Sequence, residues 1–314
     1  MTPLHELQTA HREGRLSKAD FIQQACQGHQ TLWQLLPHLR SSEVKEIRLT
    51  PDGVQFLMGT EGVRLWAPAQ EARVAPLEAL NFGAYEPEET AVMNLLAAGA
   101  RCILDVGANI GYHSLRLALR EPQAVVYAFE PLPAALEHLQ RNVALNGLGE
   151  QVRVHAHGLS KANGSFEFFI APENGTNASL MNVAGRDDAR RVVGLTLTLD
   201  DWARNTGAAP DYIKVDVEGA ELLVLQGGQA TLAQHRPKLF AELLRKWSAP
   251  FGYHPNDVLT LMAGLGYGCW AVGPHGNRRL LEVTDDTPET NYAFLHHEAH
   301  AETIASLVRG PEAA

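Results

Sequence analysis

The chain predicts an α/β fold: a mostly parallel sheet with helices on both faces, preceded by a helical and β-hairpin attachment. Three observations predict it. From about residue 86, short apolar runs alternate with helical patterns, the signature of βαβ units. The first of these runs, RCILDV, leads straight into a glycine-bounded turn, Asp105-Val-Gly-Ala-Asn-Ile-Gly111. Before residue 80 the pattern differs, with amphipathic helical spacing followed by short β-like runs.

Residues 4–36 read as one or two amphipathic helices with Leu4, Leu7, Leu16, Phe21, Ile22, Cys26, Trp33 and Leu36 inward, and Pro37 closes them. Runs at 44–49 and 54–58 flank the turn signal Thr50-Pro51-Asp52-Gly53, and a third run covers 63–67. We therefore expect an attachment at 1–80, with no catalytic cluster of its own, and a main domain at 81–314. In that domain a helix at 86–98 precedes strand one at 101–106, followed by a helix at 111–120. Strand two is 124–130, with a helix at 132–146 that carries Pro133 in its first turn, and strand three is 152–155. Two strands at 165–170 and 195–199 interrupt the alternation. Strand four is 212–217 with a helix from about 219, and strand five is 237–243. A helix at 255–265, a strand through Ala271, a hairpin at Gly276 and a strand at 291–295 complete the chain.

Charge and cysteine usage narrow the function. The balance of 26 Lys and Arg against 36 Asp and Glu gives −10, which disfavours nucleic acid, and the basic pairs Arg190-Arg191 and Arg278-Arg279 make no patch. Cys26, Cys102 and Cys269 are odd in number, widely spaced and in no metal-binding pattern, as suits a reducing compartment. No apolar run reaches the ~18–20 residues needed to cross a bilayer. A cytoplasmic protein with no membrane partner is expected.

The glycine turn is the most informative segment. Ligands of open α/β sheets bind beyond the carboxyl ends of the strands, and this turn lies there. Gly107 and Gly111 are expected to bare the main chain for a ligand. Their Gly-x-x-x-Gly interval is neither the nicotinamide fingerprint nor a phosphate loop, and Asp105 and Asn109 suit an ammonium better than a pyrophosphate. Glu130 ends strand two, 25 residues on from Asp105 (130 − 105), where an acid can accept from both hydroxyls of a ribose. Together these describe a nucleoside without phosphate, of which S-adenosylmethionine is the common cofactor.

The blocks ILDVGANIGYHSLRLA, YAFEP, LTLDDW and YIKVDVEGAELLVLQGG, in that order, resemble the FkbM family of S-adenosylmethionine-dependent methyltransferases over roughly residues 80–297. The resemblance implies a Rossmann-like class I methyltransferase fold with a reversed last strand, which makes seven strands here. It also implies O-methylation of a hydroxyl on a sugar or secondary metabolite. Asp105, Gly107, Asn109, Gly111 and Glu130 then form the cofactor site, with Leu159 and Ser160 near the adenine. Two alternatives stay open: N- or carboxyl methylation on the same scaffold, and a non-catalytic nucleoside-binding or assembly protein.

The reacting end is expected at strand four. Tyr212, Lys214, Asp216 and Glu218 alternate onto one face of a strand that is usually apolar on both. A buried lysine needs carboxylate partners. Asp216 or Glu218 is the candidate base, with Lys214 and Glu242 of strand five beside them, and a set of oxygen ligands here can hold a divalent cation such as Mg²⁺. The bland reading is a structural ion-pair network, but a binding-only protein has little reason to keep so costly a set. His113 reads as a pocket-lining residue rather than a proton shuttle, Asn174 to Ser179 as a loop or lid, and Asp200 as a helix cap. His254, His296 and His297 carry no assignment. The acceptor is a small molecule or saccharide, and residues 1–80 are available to cover its pocket or to form a homodimer.

Overall fold

A computed structural model describes residues 2–69, 71, 73–170, 178–179 and 190–309. Helices Leu4–Arg12, Lys18–Gln34 and Leu36–Ser41 open the chain. Pro37 does not end the helical region: it lies in the first turn of the third helix, where a missing N–H costs nothing. Strands β1 (Val44–Thr50), β2 (Gly53–Met58) and β3 (Val63–Trp66) form an antiparallel meander, and the Thr50↔Gly53 pair closes the expected hairpin.

The main sheet begins with β4 (Cys102–Val106), β5 (Val125–Phe129) and β6 (Val152–His155). A small second sheet follows from β7 (Gly158–Leu159), β8 (Gly164–Ile170), β9 (Ala178–Ser179) and β10 (Arg190–Leu197). The main sheet resumes with β11 (Tyr212–Val215), β12 (Lys238–Glu242), β13 (Tyr267–Val272), β14 (Arg278–Leu280) and β15 (Asn291–His296). Its order is β14-β13-β15-β12-β11-β4-β5-β6. From β12 to β6 all pairings are parallel, and β15 runs antiparallel between β12 and β13. The reversed strand is therefore present. The sheet has eight strands rather than seven, because the turn through Gly276 (φ +99°) folds β14 back onto the edge of β13.

Two apolar clusters sandwich this sheet. One joins Met93, Leu96, Leu115 and Leu139 of the helices to Ile103 and Val126, and it continues into Val44, Phe56, Met58, Val63 and Leu65 of β1–β3. The other packs Leu199, Trp202, Leu222, Leu225, Leu232 and Met262 on Val106, Ile213 and Leu239. The N-terminal meander thus shares a core with the main sheet. Asn142, fully buried, fastens it: its Oδ1 accepts from Trp66 N (2.7 Å) and its Nδ2 donates to Ile110 O (2.8 Å).

Two sequence expectations fail locally. The strand expected at 195–199 is β10, which stops at Leu197. Thr198 caps the helix Leu199–Thr206 by accepting from Asp201 N. Asp200 caps a different helix, Gln229–His235, by accepting from Ala230 N and Thr231 N. The strand expected at 212–217 stops at Val215. Glu218 (φ +52°) and Gly219 (φ +99°) turn left-handed, so strand alternation cannot place Glu218.

Candidate functional site

The carboxyl ends of β4, β5 and β11 open onto one cleft of about 340 Å³. Its floor is the turn after β4. Gly107 N and Ala108 N both donate to Phe129 O, which pulls the turn across the end of β5. Gly107 takes φ +85°, and a Cβ there would stand 1.8 Å from the Asp216 carbonyl oxygen. Gly111 takes φ +93°, and its Cβ would stand 2.5 Å from Leu139 Cδ1. The Asp216 carbonyl demands glycine at 107, and the left-handed backbone favours it at 111, before any ligand is considered.

Glu130 faces this turn from the end of β5 and is 4% exposed. It accepts from Asn109 N through Oε2 and from Leu132 N through Oε1, each at 2.9 Å. Burial outweighs these bonds and pushes its carboxyl up to about 7. Leu159 lines the cleft beyond β6. Ser160 does not: it is buried, its N–H bonds Leu197 O, and its carbonyl abuts Gly227. Asp105 also lies outside the lining. Fully buried beneath the turn, it accepts from Ser114 Oγ (2.5 Å) and stands 3.6 Å from Lys214 Nζ.

At the other end, Lys214, Asp216, Glu218 and Glu242 do converge on the cleft. Lys214 Nζ is 3.1 Å from Asp216 Oδ2. Burial alone would depress this ammonium, but Asp216, Asp105 and Glu86 together hold it above its ordinary value, so it stays charged. Burial and the Asp216 carboxylate push Glu218 up to about 7. Burial, Asp216 and Glu218 push Glu242 up to about 10, so the group carries a proton at neutral pH. Among the described residues, no group of three or more His, Cys, Asp or Glu is arranged to hold a metal ion.

One wall was not foreseen. Arg73, Glu78, Tyr85 and Glu86 line the cleft, the first two from within the attachment expected to carry no catalytic groups. Arg73 Nε bonds Glu78 Oε1 at 2.9 Å. Glu86 (φ +48°) precedes the helix Pro87–Ala97 and stands 3.2 Å from His113 Nε2. Burial would raise the Glu86 carboxyl, but His113 and Lys214 hold it below its ordinary value. A topological signal was available: a helix returning into β4 through a short loop starts near the carboxyl end of that strand. The stretch Asn174 to Asn177 lies outside the described residues, while Ala178–Ser179 form β9. No helix among the described residues is long and apolar enough to cross a membrane.

Residues 105–269 match the family model described as the methyltransferase FkbM domain. The chain is 33% identical over 153 residues to methyltransferase sdnD of Sordaria araneosa, covering 40% of this chain and 59% of that protein. It is 31% identical over 162 residues to 2-O-methyltransferase NoeI of Sinorhizobium fredii, covering 46% and 64%. It is 31% identical over 125 residues to hexuronic acid methyltransferase AglP of Haloferax volcanii, covering 39% and 48%. The matched stretch thus spans less than two thirds of each of these relatives.

Proposed function

Because this chain belongs to the FkbM methyltransferase family, we propose that its cleft binds S-adenosylmethionine and directs methyl transfer to a hydroxyl of a sugar or secondary metabolite. The observation that carries this reading is the division of the cleft. Glu130 and a turn without basic side chains, residues 107–111, occupy one end, and the raised carboxyls of Glu218 and Glu242 occupy the other.

The donor end fits the cofactor chemically. Glu130 is fixed by two main-chain N–H groups and keeps lone pairs for ribose hydroxyls. No Lys or Arg stands on the turn to ask for a phosphate. Bound there, S-adenosylmethionine would supply a methyl group on positively charged sulfur.

The chain's own work is alignment and proton handling. Glu218, raised to about 7, is the base that takes the acceptor hydroxyl proton near neutral pH. Glu242 in its protonated form donates a hydrogen bond to the acceptor. Lys214 holds Asp216 and does not titrate. We give the carboxyl cluster to proton handling rather than to Mg²⁺, because among the described residues no group of three or more His, Cys, Asp or Glu is arranged to hold a metal ion. The relatives named for 2-O-methylation and for hexuronic acid methylation support a saccharide acceptor.

Titration with S-adenosylhomocysteine, with and without Mg²⁺, tests the donor site. Binding that Glu130→Ala weakens by about 10²-fold is expected from the loss of both carboxyl oxygens as hydrogen-bonding partners of the ribose. A screen of labelled donor against saccharides and hydroxylated metabolites tests the reaction, and Glu218→Gln should abolish turnover while that binding persists. No binding in the wild type would end the methyltransferase reading. Binding with no product from any hydroxyl, amine or carboxylate would favour a non-catalytic nucleoside-binding role.

A further inference from the structure

We infer that Glu221 and Tyr253 form a proton-bearing clamp, with neutral Glu221 as the positioning residue that holds Glu218 in the cleft. The inference rests on the methyl-transfer reading above for its purpose, though not for its geometry.

Glu218 reaches the cleft from an unfavourable backbone. It is a non-glycine residue at φ +52°, followed by Gly219 at φ +99°. A left-handed non-glycine residue costs about 1–2 kcal/mol and persists only where its surroundings over-determine it. Glu221 supplies the restraint. It is 2% exposed, and its Oε1 accepts from both Val217 N (3.1 Å) and Gly219 N (3.0 Å), on either side of Glu218.

The other oxygen raises a question of proton count. The Tyr253 hydroxyl lies 2.9 Å from Gly219 O and 3.1 Å from Glu221 Oε2. It has one hydrogen, and the Gly219 carbonyl has none to give. Both contacts are full two-centre hydrogen bonds when Glu221 is the neutral acid, donating from Oε2 to Tyr253 Oη while Tyr253 donates to Gly219 O; with Glu221 ionised, the one Tyr253 hydrogen must be shared between the two oxygens. The surroundings favour that form. Asp216 and Glu218 on the same turn, Glu242 on β12 and the Tyr253 phenol all bear on this carboxyl, and burial and the Asp216 carboxylate raise it to about 7 against its main-chain bonds.

Tyr253 also joins two walls of the cleft. It follows the segment that contributes Glu242, Leu244, Lys246 and Trp247 to the lining. That segment presses on the same turn, where a Cβ on Gly219 would lie 2.2 Å from Trp247 O. Loss of the Glu221 proton at higher pH would draw the Tyr253 hydrogen to Glu221 and release the Gly219 carbonyl. The Oε1 bonds to Val217 N and Gly219 N would remain, so the turn would lose only its tie to Tyr253 as the base becomes fully ionised.

Infrared difference spectra of the free protein, wild type minus Glu221→Gln, read the proton directly with no donor or acceptor present. A neutral carboxylic acid band at about pH 6 that fades with a midpoint near 7 is expected. Tyr253→Phe should move that midpoint while leaving the fold intact. Hydrogen exchange at Val217 and Gly219 should stay slow in Glu221→Gln, whose amide can both accept and donate, and become fast in Glu221→Ala. With an acceptor from the product screen, Glu221→Ala should lower kcat about 10²-fold at steady KM, the scale of a small misplacement. Glu221→Gln should recover most of that loss and remove the part of the alkaline fall in kcat centred near 7, leaving the later fall that belongs to Glu242. Absence of the band, or a glutamine variant as impaired as the alanine one, would overturn the clamp. Failure of S-adenosylhomocysteine to bind would instead remove the methyltransferase reading and leave the infrared result standing.

Discussion

Lys214 Nζ stands 3.6 Å from Asp105 Oδ1, and neither side chain is more than 4% exposed. The two residues are register partners on adjacent parallel strands, β11 and β4, so the sheet itself sets the pair. An ammonium so deeply buried is sustained by its carboxylates, and each carboxylate by it. Lys214→Met should therefore strand the Asp105 charge and destabilise the fold by about 3–5 kcal/mol. The double variant Lys214→Met/Asp105→Asn should recover a large part of that loss, because the charge it leaves unpaired is Asp216, whose side chain is about one-third exposed and can be hydrated. Urea denaturation of the three proteins checks this, and a double variant no better than the single one would contradict the pairing.

Asn142 carries the connection between the N-terminal meander and the turn after β4. Its amide, itself fully buried, serves half-buried Trp66 on one side and buried Ile110 on the other. Replacing it by alanine leaves a half-buried N–H and a buried carbonyl without partners, at about 1–3 kcal/mol for the buried one. Asn142→Ala should lower the urea midpoint and also weaken S-adenosylhomocysteine binding, since Ile110 belongs to the turn. A stability loss with unchanged affinity would show that the meander does not support the turn.

Gly107 is a stricter position. Alanine there meets the Asp216 carbonyl at 1.8 Å and must also adopt φ +85°. Neither the β4 turn nor the end of β11 can retreat without breaking the Asp216 N to Val106 O bond. Gly107→Ala should cost more than about 3 kcal/mol, through overpacking and backbone strain together. Gly147→Ala is the control, because its Cβ meets nothing within 4 Å although its φ is +68°. Equal losses in the two variants would mean that backbone conformation alone, and not the Asp216 contact, sets the cost.

How far the sequence could be read follows from which interactions are local. The strand–helix alternation and the hairpin at Thr50–Gly53 were legible, because periodicity and turn residues act within a few positions. Lys214 and Glu242 could be brought together from strand ends, and the structure places them on the cleft with Asp216 and Glu218, although Glu218 arrives there by a left-handed turn and not by strand alternation. The misses are long-range. The cap expected at Asp200 is present, but the helix it serves lies about thirty residues ahead, and no local pattern encodes that partner. Asp105 was expected to face the cofactor but lies under the turn, because its strand partner Lys214 and the Ser114 hydroxyl claim both oxygens. Glu221 went unremarked since its role depends on Tyr253, which packing alone brings near.

Glu242 gives the clearest test by pH. Burial and the neighbouring Asp216 and Glu218 carboxylates raise it from 4.5 to about 10 in the folded chain. Between those values the folded protein holds a proton that the unfolded chain has released, so raising the pH favours unfolding. The raised carboxyls of Glu130, Glu218 and Glu221 act in the same sense, but their titration is centred at about 7. His155 and His300, depressed by burial to about 4, act in the opposite sense, and that contribution fades above their ordinary value of 6.5. From about pH 8 to 9 Glu242 alone should lower stability by about 1 kcal/mol per pH unit, and toward pH 9 the buried thiols of Cys102 and Cys269, also raised by burial, add to the fall. Glu242→Gln should flatten that slope and leave the variant more stable than the wild type at about pH 9. Parallel denaturation series for the two proteins decide the matter: equal slopes would mean that Glu242 is ionised in the folded chain, and would remove it as a proton donor to the acceptor.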